Sequence, residues 1–277
     1  MTKAAGRPAL YLGEREREQG DHDFPQGLVC VRSLRSPVKA TPNEDAAAVM
    51  QIGSDALVLA VADGVGGTPA GREASNKAVE TLCRVLGQLP TEAPELRPAI
   101  LDAVEEANRE VLALSRGAAT TLVVAQLNGR QLRSYHVGDS ELVAVGQRGL
   151  VKQRVVPHSP TGFAVEAGLL DEDEAVHHDQ RHVLFNVIGS PDMRVEVGPT
   201  LQLAVRDTVL LASDGLFDNL FIDEIIDTIR KGPLAAAADR LVERAGERMS
   251  GQGPAEHPCK PDDLTIVLFR PHAKRRR

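Results

Sequence analysis

Hydrophobic and polar positions along the chain fall into blocks of period two and blocks of helical period. Leu28 to Ser33 reads as a strand. Asp45 to Ile52 and Leu57 to Ala62 are two more, with Gly53-Ser54-Asp55 as the turn between them. Leu57-Val58-Leu59-Ala60-Val61-Ala62 is apolar at every position, the pattern of a strand covered on both faces. Ala78, Leu82, Val85 and Leu89 then recur at spacings of four, three and four. Leu96, Ile100, Val104, Ala107, Val111 and Leu114 continue that period, so a pair of amphipathic helices is predicted. Pro90, Pro94 and Pro98 punctuate the gap.

Strands then return. Thr120 to Leu127 and Gln131 to Val137 flank Asn128-Gly129, a type I′ hairpin signal because both residues tolerate positive φ. Leu142 to Val145 and Leu150 to Val155 flank another glycine-containing turn, and the whole succession reads as an antiparallel meander. Residues 157 to 182 are polar and helical in part. Val205 to Ala212 is a strand, Ile222 to Arg230 and Leu234 to Met249 are helices, and Leu264 to Phe269 is the last strand, after a Gly- and Pro-rich loop from Gly251 to Pro261. Hairpin-linked strands with paired helices between them favour an α+β fold of antiparallel sheets over a doubly wound parallel sheet. Residues 1–24 read as a charged, loosely held arm. Residues 271–277, ending in Lys274-Arg275-Arg276-Arg277, read as a basic tail, either a solvated end or a contact for an anionic partner.

Composition narrows the chemistry. The apolar fraction of 42% suits a sizeable core, and with aromatics at 3% and no Trp, small aliphatics must fill it. The formal charge of −7 argues against a broad nucleic-acid surface. The cysteine count of 3 is odd, and no C-x-x-C pair occurs. That disfavours a disulfide framework and a zinc site, and fits a reducing cytoplasm. Cys83 is followed directly by Arg84, without a phosphate-cradling loop, so a cysteine-nucleophile phosphatase is not supported. Ala4 to Leu12 is too short and broken for a signal peptide. No apolar run approaches the ~18 residues of a membrane span.

The candidate chemistry lies at the strand ends. Asp63 ends the apolar strand, Asp214 ends the strand through Ser213, and Asp139 follows Val137-Gly138. Asp262 and Asp263 precede the last strand, and Asn43-Glu44-Asp45 opens the second. Carboxylates converging on one point would repel and raise one another's pKa. A hard divalent cation removes that penalty and prefers oxygen ligands. Asp63-Gly64 and Asp214-Gly215 are also ordinary turn pairs. Neither leads into a hairpin partner, however, and glycine lets a metal approach a backbone carbonyl.

Asn43-Glu44-Asp45, Val61-Ala62-Asp63-Gly64-Val65-Gly66-Gly67, Val137-Gly138-Asp139-Ser140, Ala212-Ser213-Asp214-Gly215-Leu216-Phe217-Asp218 and Asp262-Asp263-Leu264-Thr265 occur in this order. Together they resemble the motifs of the metal-dependent serine/threonine protein phosphatases of type 2C, the PPM family, in its bacterial form, across residues 25–270. Phe185-Asn186-Val187-Ile188-Gly189 resembles a further family segment. The resemblance implies a four-layer α-β-β-α sandwich, two antiparallel sheets flanked by helix pairs, with two Mg²⁺ or Mn²⁺ ions at one end. By motif, Asp63 bridges the ions, Gly64 gives its carbonyl, and Asp214 and Asp262 complete the first ion. Asp45 acts through bound water with Glu44 behind it. A third ion uses Asp139 and Asp214, and Asp263 supports the ligands from behind. Asp63, Asp214 and Asp262 are then the catalytic set.

The implied reaction is hydrolysis of phosphoserine or phosphothreonine in proteins by a metal-activated water. The implied partners are a phosphoprotein substrate and a cognate serine/threonine kinase or its targets. The chain is expected to act as a cytoplasmic monomer without nucleic acid or membrane. Three positions depart from the family pattern. Val65 stands where many eukaryotic members have His. Glu141 stands where Arg is usual, which reads as a lost ion pair or an altered partner surface. Ala40-Thr41-Pro42 replaces the usual phosphate-binding Arg. Lys39, Arg35 and Arg32 are the substitutes, with Lys39 the nearest; a plain exposed lysine is the alternative. His178 and His182 have helical i, i+4 spacing beside His177, which reads as an exposed helix face or a substrate contact, and His158 is read the same way. A pseudophosphatase or regulatory binding module, and a small-molecule phosphatase, are the competing readings of the whole.

Overall fold

The strand Asp45–Ile52 sends Ala46, Ala48, Met50 and Ile52 to one side and Ala47 and Val49 to the other. The all-apolar run beside it divides likewise: Val58, Ala60 and Ala62 face one way, Leu57, Leu59 and Val61 the other. Both strands are therefore covered on both faces, as the all-apolar run predicts for the second of them.

The computed structural model describes residues 7–65, 69–90, 95–252, 254 and 257–272. In chain order the elements are β1 (Ala9–Tyr11), β2 (Arg17–Phe24), β3 (Gly27–Leu34), β4 (Asp45–Ile52), β5 (Ala56–Val65), α1 (Pro69–Leu86), α2 (Leu96–Leu114), β6 (Ala119–Thr120) and β7 (Leu122–Asn128). They continue with β8 (Gln131–Val137), β9 (Glu141–Val145), β10 (Val151–Arg154), α3 (Pro160–Glu166), α4 (Glu172–Ala175), β11 (Glu196–Val197) and β12 (Leu201–Gln202). The last are β13 (Thr208–Ala212), α5 (Asp214–Phe217), α6 (Ile222–Ile229), α7 (Leu234–Met249) and β14 (Leu264–Pro271).

One sheet has the order β1-β4-β5-β7-β8-β11, with β12 also on β8 and β6 on β5; the other runs β10-β9-β13-β14-β3-β2. The described pairings are antiparallel. Leu82, Leu86, Ile100 and Val104 of α1 and α2 cover the outer face of the first sheet. Leu57, Leu59 and Val61 meet Val31, Leu211 and Val267 between the sheets. Ile225, Ile229, Leu241 and Ala245 of α6 and α7 cover the outer face of the second. The result is the α-β-β-α sandwich of two antiparallel sheets that was expected.

Two expectations need correction. The strands from Thr120 to Val155 are not one meander. The β7–β8 hairpin lies in the first sheet and the β9–β10 hairpin in the second. Residues 138–140 cross between them, which lifts Asp139 to the end of the sandwich. The N-terminal arm is also no arm from residue 9 onward. Tyr11 pairs with Ala47, and Arg17 to Phe24 pair with β3 along their length. β2 alternates between exposed and half-buried positions. Its polar, charged composition is what an edge strand needs to resist further pairing, and it conceals the period from a hydrophobicity pattern. The basic residues Lys274 to Arg277 lie outside the described residues.

Candidate metal centre

Asp45 opens β4 directly opposite Asp63 near the end of β5. The pairing puts two carboxylates on one sheet edge by register alone. The second sheet supplies the others. Asp214 starts α5 after β13, and Asp262 and Asp263 lead into the neighbouring β14. Ser213 joins the sheets: its Oγ donates to Asp45 Oδ2 at 2.8 Å and accepts the Thr265 N–H at 3.0 Å.

The main chain at Asp63 is held from several directions. Its N–H donates to Thr121 Oγ1 at 3.0 Å, and its carbonyl accepts from Thr120 Oγ1 at 2.7 Å and from the Thr121 N–H at 2.8 Å. Thr121 Oγ1 also meets Ser140 Oγ at 2.6 Å, which ties β5 to the turn carrying Asp139. Gly64 packs so tightly that a Cβ there would lie 2.4 Å from the main chain of Gly71 in α1. The Gly64 N–H donates to the Glu44 carbonyl at 3.2 Å, and that carbonyl also accepts from Ser75 Oγ at 2.5 Å. Asp263 is buried behind the site, accepting the Ser36 N–H at 2.7 Å and the Glu44 N–H at 2.9 Å.

Burial and mutual repulsion set the electrostatics. Burial, reinforced by Asp45, Asp214, Asp262 and Asp139, holds the Asp63 carboxyl well above the usual range. Asp45 and Asp139 are pushed up in the same sense, Asp45 by burial and then Asp263, Asp139 by burial and then Asp214. Asp218 rises to about 7 through burial and the charge of Asp214. Burial opposes ionised Asp214 as well, but the Lys260 ammonium more than offsets it and holds that carboxyl below the usual range. Asp45 Oδ1 and Asp214 Oδ1 are buried without a hydrogen-bond partner. Buried acceptors left bare are costly. An all-oxygen donor set with inward-facing bare carboxylate oxygens fits a hard divalent cation.

Of the three basic candidates, Lys39 alone reaches this centre, with Nζ 2.9 Å from Asp262 Oδ1, 3.1 Å from Asp263 Oδ2 and 3.3 Å from Glu44 Oε2. Arg32 is buried against Asp239 at 2.6 Å and Asp21 at 2.8 Å, and Arg35 pairs with Glu16 at 2.6 Å. Sequence reasoning passed over Lys260 and Asp218. Lys260 Nζ lies 2.6 Å from both Asp214 Oδ2 and Asp218 Oδ2, and 3.3 Å from Asp262 Oδ2. Asp218 stood inside the Asp-Gly-Leu-Phe-Asp motif, and Lys260 two residues before Asp262, but neither spacing betrays the contact. A cavity of about 170 Å³ adjoins the carboxylates, lined by Asp139, Asp214, Asp218, Arg154 and Arg181 among others. Glu141 is not left without a partner: Arg154 Nε donates to its Oε2 at 2.6 Å and Arg154 Nη1 to Glu172 at 2.8 Å.

The histidines sit differently from their expected places. α4 ends at Ala175, so His178 and His182 share no helix, and His177, His178 and His182 are exposed on the turns and irregular chain that follow it. His158 is buried, not on an exposed face. With His136 and Glu196 it brings candidate ligand atoms within 4.8 Å of one another. His158 Nδ1 accepts the Gly138 N–H at 3.1 Å, so Nε2 carries the proton that faces Glu196 at 3.3 Å. A nitrogen bearing that proton is no metal ligand.

Residues 37–250 match the family model described as Protein phosphatase 2C. The chain belongs to the protein phosphatase 2C family. It is 28% identical over 236 residues to the serine/threonine phosphatase stp of Listeria monocytogenes, covering 82% of this chain and 89% of that protein. The Mycobacterium tuberculosis serine/threonine phosphatase PstP/Ppp has a similar solved structure, with TM-score 0.71 and 25% identity over 88% of this chain and 98% of the other. A structure of the catalytic domain of a phosphatase PstP in complex with 2 manganese ions shares the fold at TM-score 0.69 and 24% identity, over 88% and 98% of the two chains.

Proposed function

We propose that this 2C-type protein phosphatase hydrolyses phosphoserine and phosphothreonine in protein substrates, with Mg²⁺ or Mn²⁺ held by Asp63, the Gly64 carbonyl, Asp214 and Asp262, and by Asp45 through water. The observation that carries the site assignment is the pair of bare buried oxygens, Asp45 Oδ1 and Asp214 Oδ1, beside Asp63. A bound pair of such ions acidifies water and neutralises charge on the phosphoryl oxygens.

The chain's own groups orient that chemistry. Ser213 fixes Asp45 through Oδ2, which leaves Oδ1 for the centre. Thr120 and Thr121 hold the Asp63 main chain, so its carboxylate stands on a rigid strand end. Lys39 brings a positive charge to the rim, where it docks a phosphoryl oxygen by exchanging its contact with Asp262 for one to the substrate, since its three donors otherwise all go to carboxylates. Glu44 and Asp263 hold Lys39 from behind. Val65 has no proton to give, so the leaving oxygen takes its proton from water. The relatives' names support serine/threonine specificity. The odd cysteine count supports a cytoplasmic setting, and no described helix is long and apolar enough to cross a membrane. A serine/threonine kinase acting on the same phosphoproteins is the expected partner.

The test is hydrolysis of a phosphothreonine peptide and of p-nitrophenyl phosphate with Mn²⁺, with chelator, and with Asp63→Asn. Mn²⁺-dependent turnover is expected, lost in chelator and reduced at least ~10²-fold by Asp63→Asn. No Mn²⁺-dependent turnover by folded wild type overturns the enzymatic reading, and full activity of Asp63→Asn overturns the site assignment.

A further inference from the structure

Lys260 is held in place from its main chain outward. The buried Asn219 side chain accepts the Lys260 N–H at 2.9 Å and donates Nδ2 to the Lys260 carbonyl at 2.8 Å. The same Nδ2 donates to the Gly215 carbonyl at 2.9 Å, and the Asn219 carbonyl accepts from Arg248 at 2.6 Å. The loop that enters β14 is thus fastened to the turn after β13. One residue of that loop then directs its ammonium into the carboxylate cluster.

An ammonium has three donors, and here three carboxylates face it: Asp214 and Asp218 at 2.6 Å each and Asp262 at 3.3 Å. Asp214 is divided by this contact. Its Oδ2 goes to Lys260, while Oδ1 stays bare and buried. A divalent ion seated between Asp214 and Asp218 needs oxygens at roughly 2.0–2.2 Å. The ammonium already lies on the oxygens that such an ion would take, so the two exclude each other. Asp214 Oδ1, bare and buried, would remain available to an ion held with Asp63.

We propose that Lys260 is a tethered cation of this centre, standing in for a third divalent ion beside Asp214, Asp218 and Asp139. It rests on the metal-centre reading above. Lys260 is a positioning residue: it holds Asp214 through Oδ2 and leaves the bare Oδ1 for the ions, while Asp262 is gripped between Lys260 on Oδ2 and Lys39 on Oδ1. The centre is consequently built for two exchangeable ions, with the Lys260 ammonium fixed in the third place, rather than for three exchangeable ions.

The measurement is the number of bound Mn²⁺ per chain, from the electron paramagnetic resonance signal of free Mn²⁺, for wild type, Lys260→Met and Lys260→Arg. Wild type is expected to saturate at about two ions below ~1 mM free Mn²⁺. Lys260→Met is expected to take up about one more in that range, with at least ~tenfold tighter affinity than any third site of wild type, while Lys260→Arg keeps the wild-type isotherm. A third ion bound by wild type below ~1 mM, or a Lys260→Met isotherm superimposed on that of wild type, overturns the proposal. Should Lys260→Met lack a cooperative thermal transition, the wild-type isotherm decides alone: saturation at two ions upholds the proposal, and a third ion overturns it. Wild type that binds no Mn²⁺ overturns the metal centre itself, which separates failure of that reading from failure of this one.

Discussion

Lys39 places its ammonium 2.9 Å from Oδ1 of Asp262, on the opposite oxygen from the one that Lys260 approaches. Two roles for Lys39 have opposite signatures. As a phosphate dock it contributes to substrate binding, so Lys39→Met should raise KM for a phosphopeptide by about tenfold, or ~1.4 kcal/mol, with Mn²⁺ affinity unchanged or higher. As a neutraliser of carboxylate charge alone, its loss should tighten Mn²⁺ binding and leave KM where it was. The KM rise is the expected result, and titrating activity against peptide at saturating Mn²⁺ decides.

Glu141 and Arg154 form a pair that is buried on one side only, with side-chain exposures of 5% and 27%. Removing one partner leaves a buried charge unopposed, which usually costs about 3 kcal/mol or more, less where water reaches the survivor. Arg154→Met is therefore expected to destabilise the fold by about 2–3 kcal/mol in urea unfolding. Adding Glu141→Gln to Arg154→Met should restore more than half of the loss, because no charge is then left stranded. Strict additivity of the two substitutions would show that the pair is incidental. Arg154 also holds Glu172 of α4, so the single variant should expose the segment around α4 to faster hydrogen exchange.

The carboxylates at the strand ends were legible because each lies in a short motif whose neighbours are local. Asp63 follows six apolar residues, and Asp214 follows a strand that reads as buried; no tertiary knowledge is needed to place them at the ends of strands. Lys260 was invisible for the opposite reason. It contacts Asp214 and Asp218 across 46 and 42 residues, and only the Asn219 clamp brings it there. Thr121 and Ser140 escaped notice because small hydroxyl residues in or beside strands are common, and their link between β5 and the Asp139 turn exists only once the chain has crossed from one sheet to the other. β2 was lost because Arg17, Gln19, Asp21 and Asp23 alternate with residues that are themselves mostly polar. His158 looked like a surface residue because the sequence does not reveal that Gly138 and Asn186 both donate to its Nδ1.

His136 predicts a pH dependence of stability. Burial, and then its stacked neighbour His158 with ring centroids 4.4 Å apart, push its pKa down from 6.5 to about 4. In the unfolded chain it titrates near 6.5. Below that pH the unfolded state binds a proton that the folded state refuses, so stability falls as pH drops from about 6.5 towards 4 and levels off beneath. Its Nε2 meets the Val156 carbonyl at 3.0 Å, and Gln can keep that donor. Between pH 7 and 4.5, wild type is expected to lose about 2 kcal/mol more than His136→Gln, measured by urea unfolding in chelator. The carboxylates are common to both proteins and cancel in the difference. Parallel curves would mean that the ring is protonated without cost.

Gly64 gives the sharpest steric prediction. A methyl group there meets the Gly71 carbonyl carbon and oxygen at 2.4 Å and the Glu44 carbonyl oxygen at 2.9 Å, all main-chain atoms that no rotamer change can move. At Gly71 the nearest atoms are Glu44 Oε1 and the Gly64 carbonyl oxygen, both at 3.0 Å, and the first belongs to a side chain that can turn. Gly64→Ala must push α1 off the end of β5, stretching the Ser75 bond to the Glu44 carbonyl and moving Asp63. It is expected to cost about 1–3 kcal/mol of stability and to weaken Mn²⁺ binding at least ~tenfold. Gly71→Ala should cost less on both counts, since one of its two closest neighbours can yield. Thermal unfolding and Mn²⁺ titration of the two variants test the order. A larger loss in Gly71→Ala would mean that the crossing of α1 over β5 yields at Gly64, so that Asp63 is anchored by Thr120 and Thr121 alone.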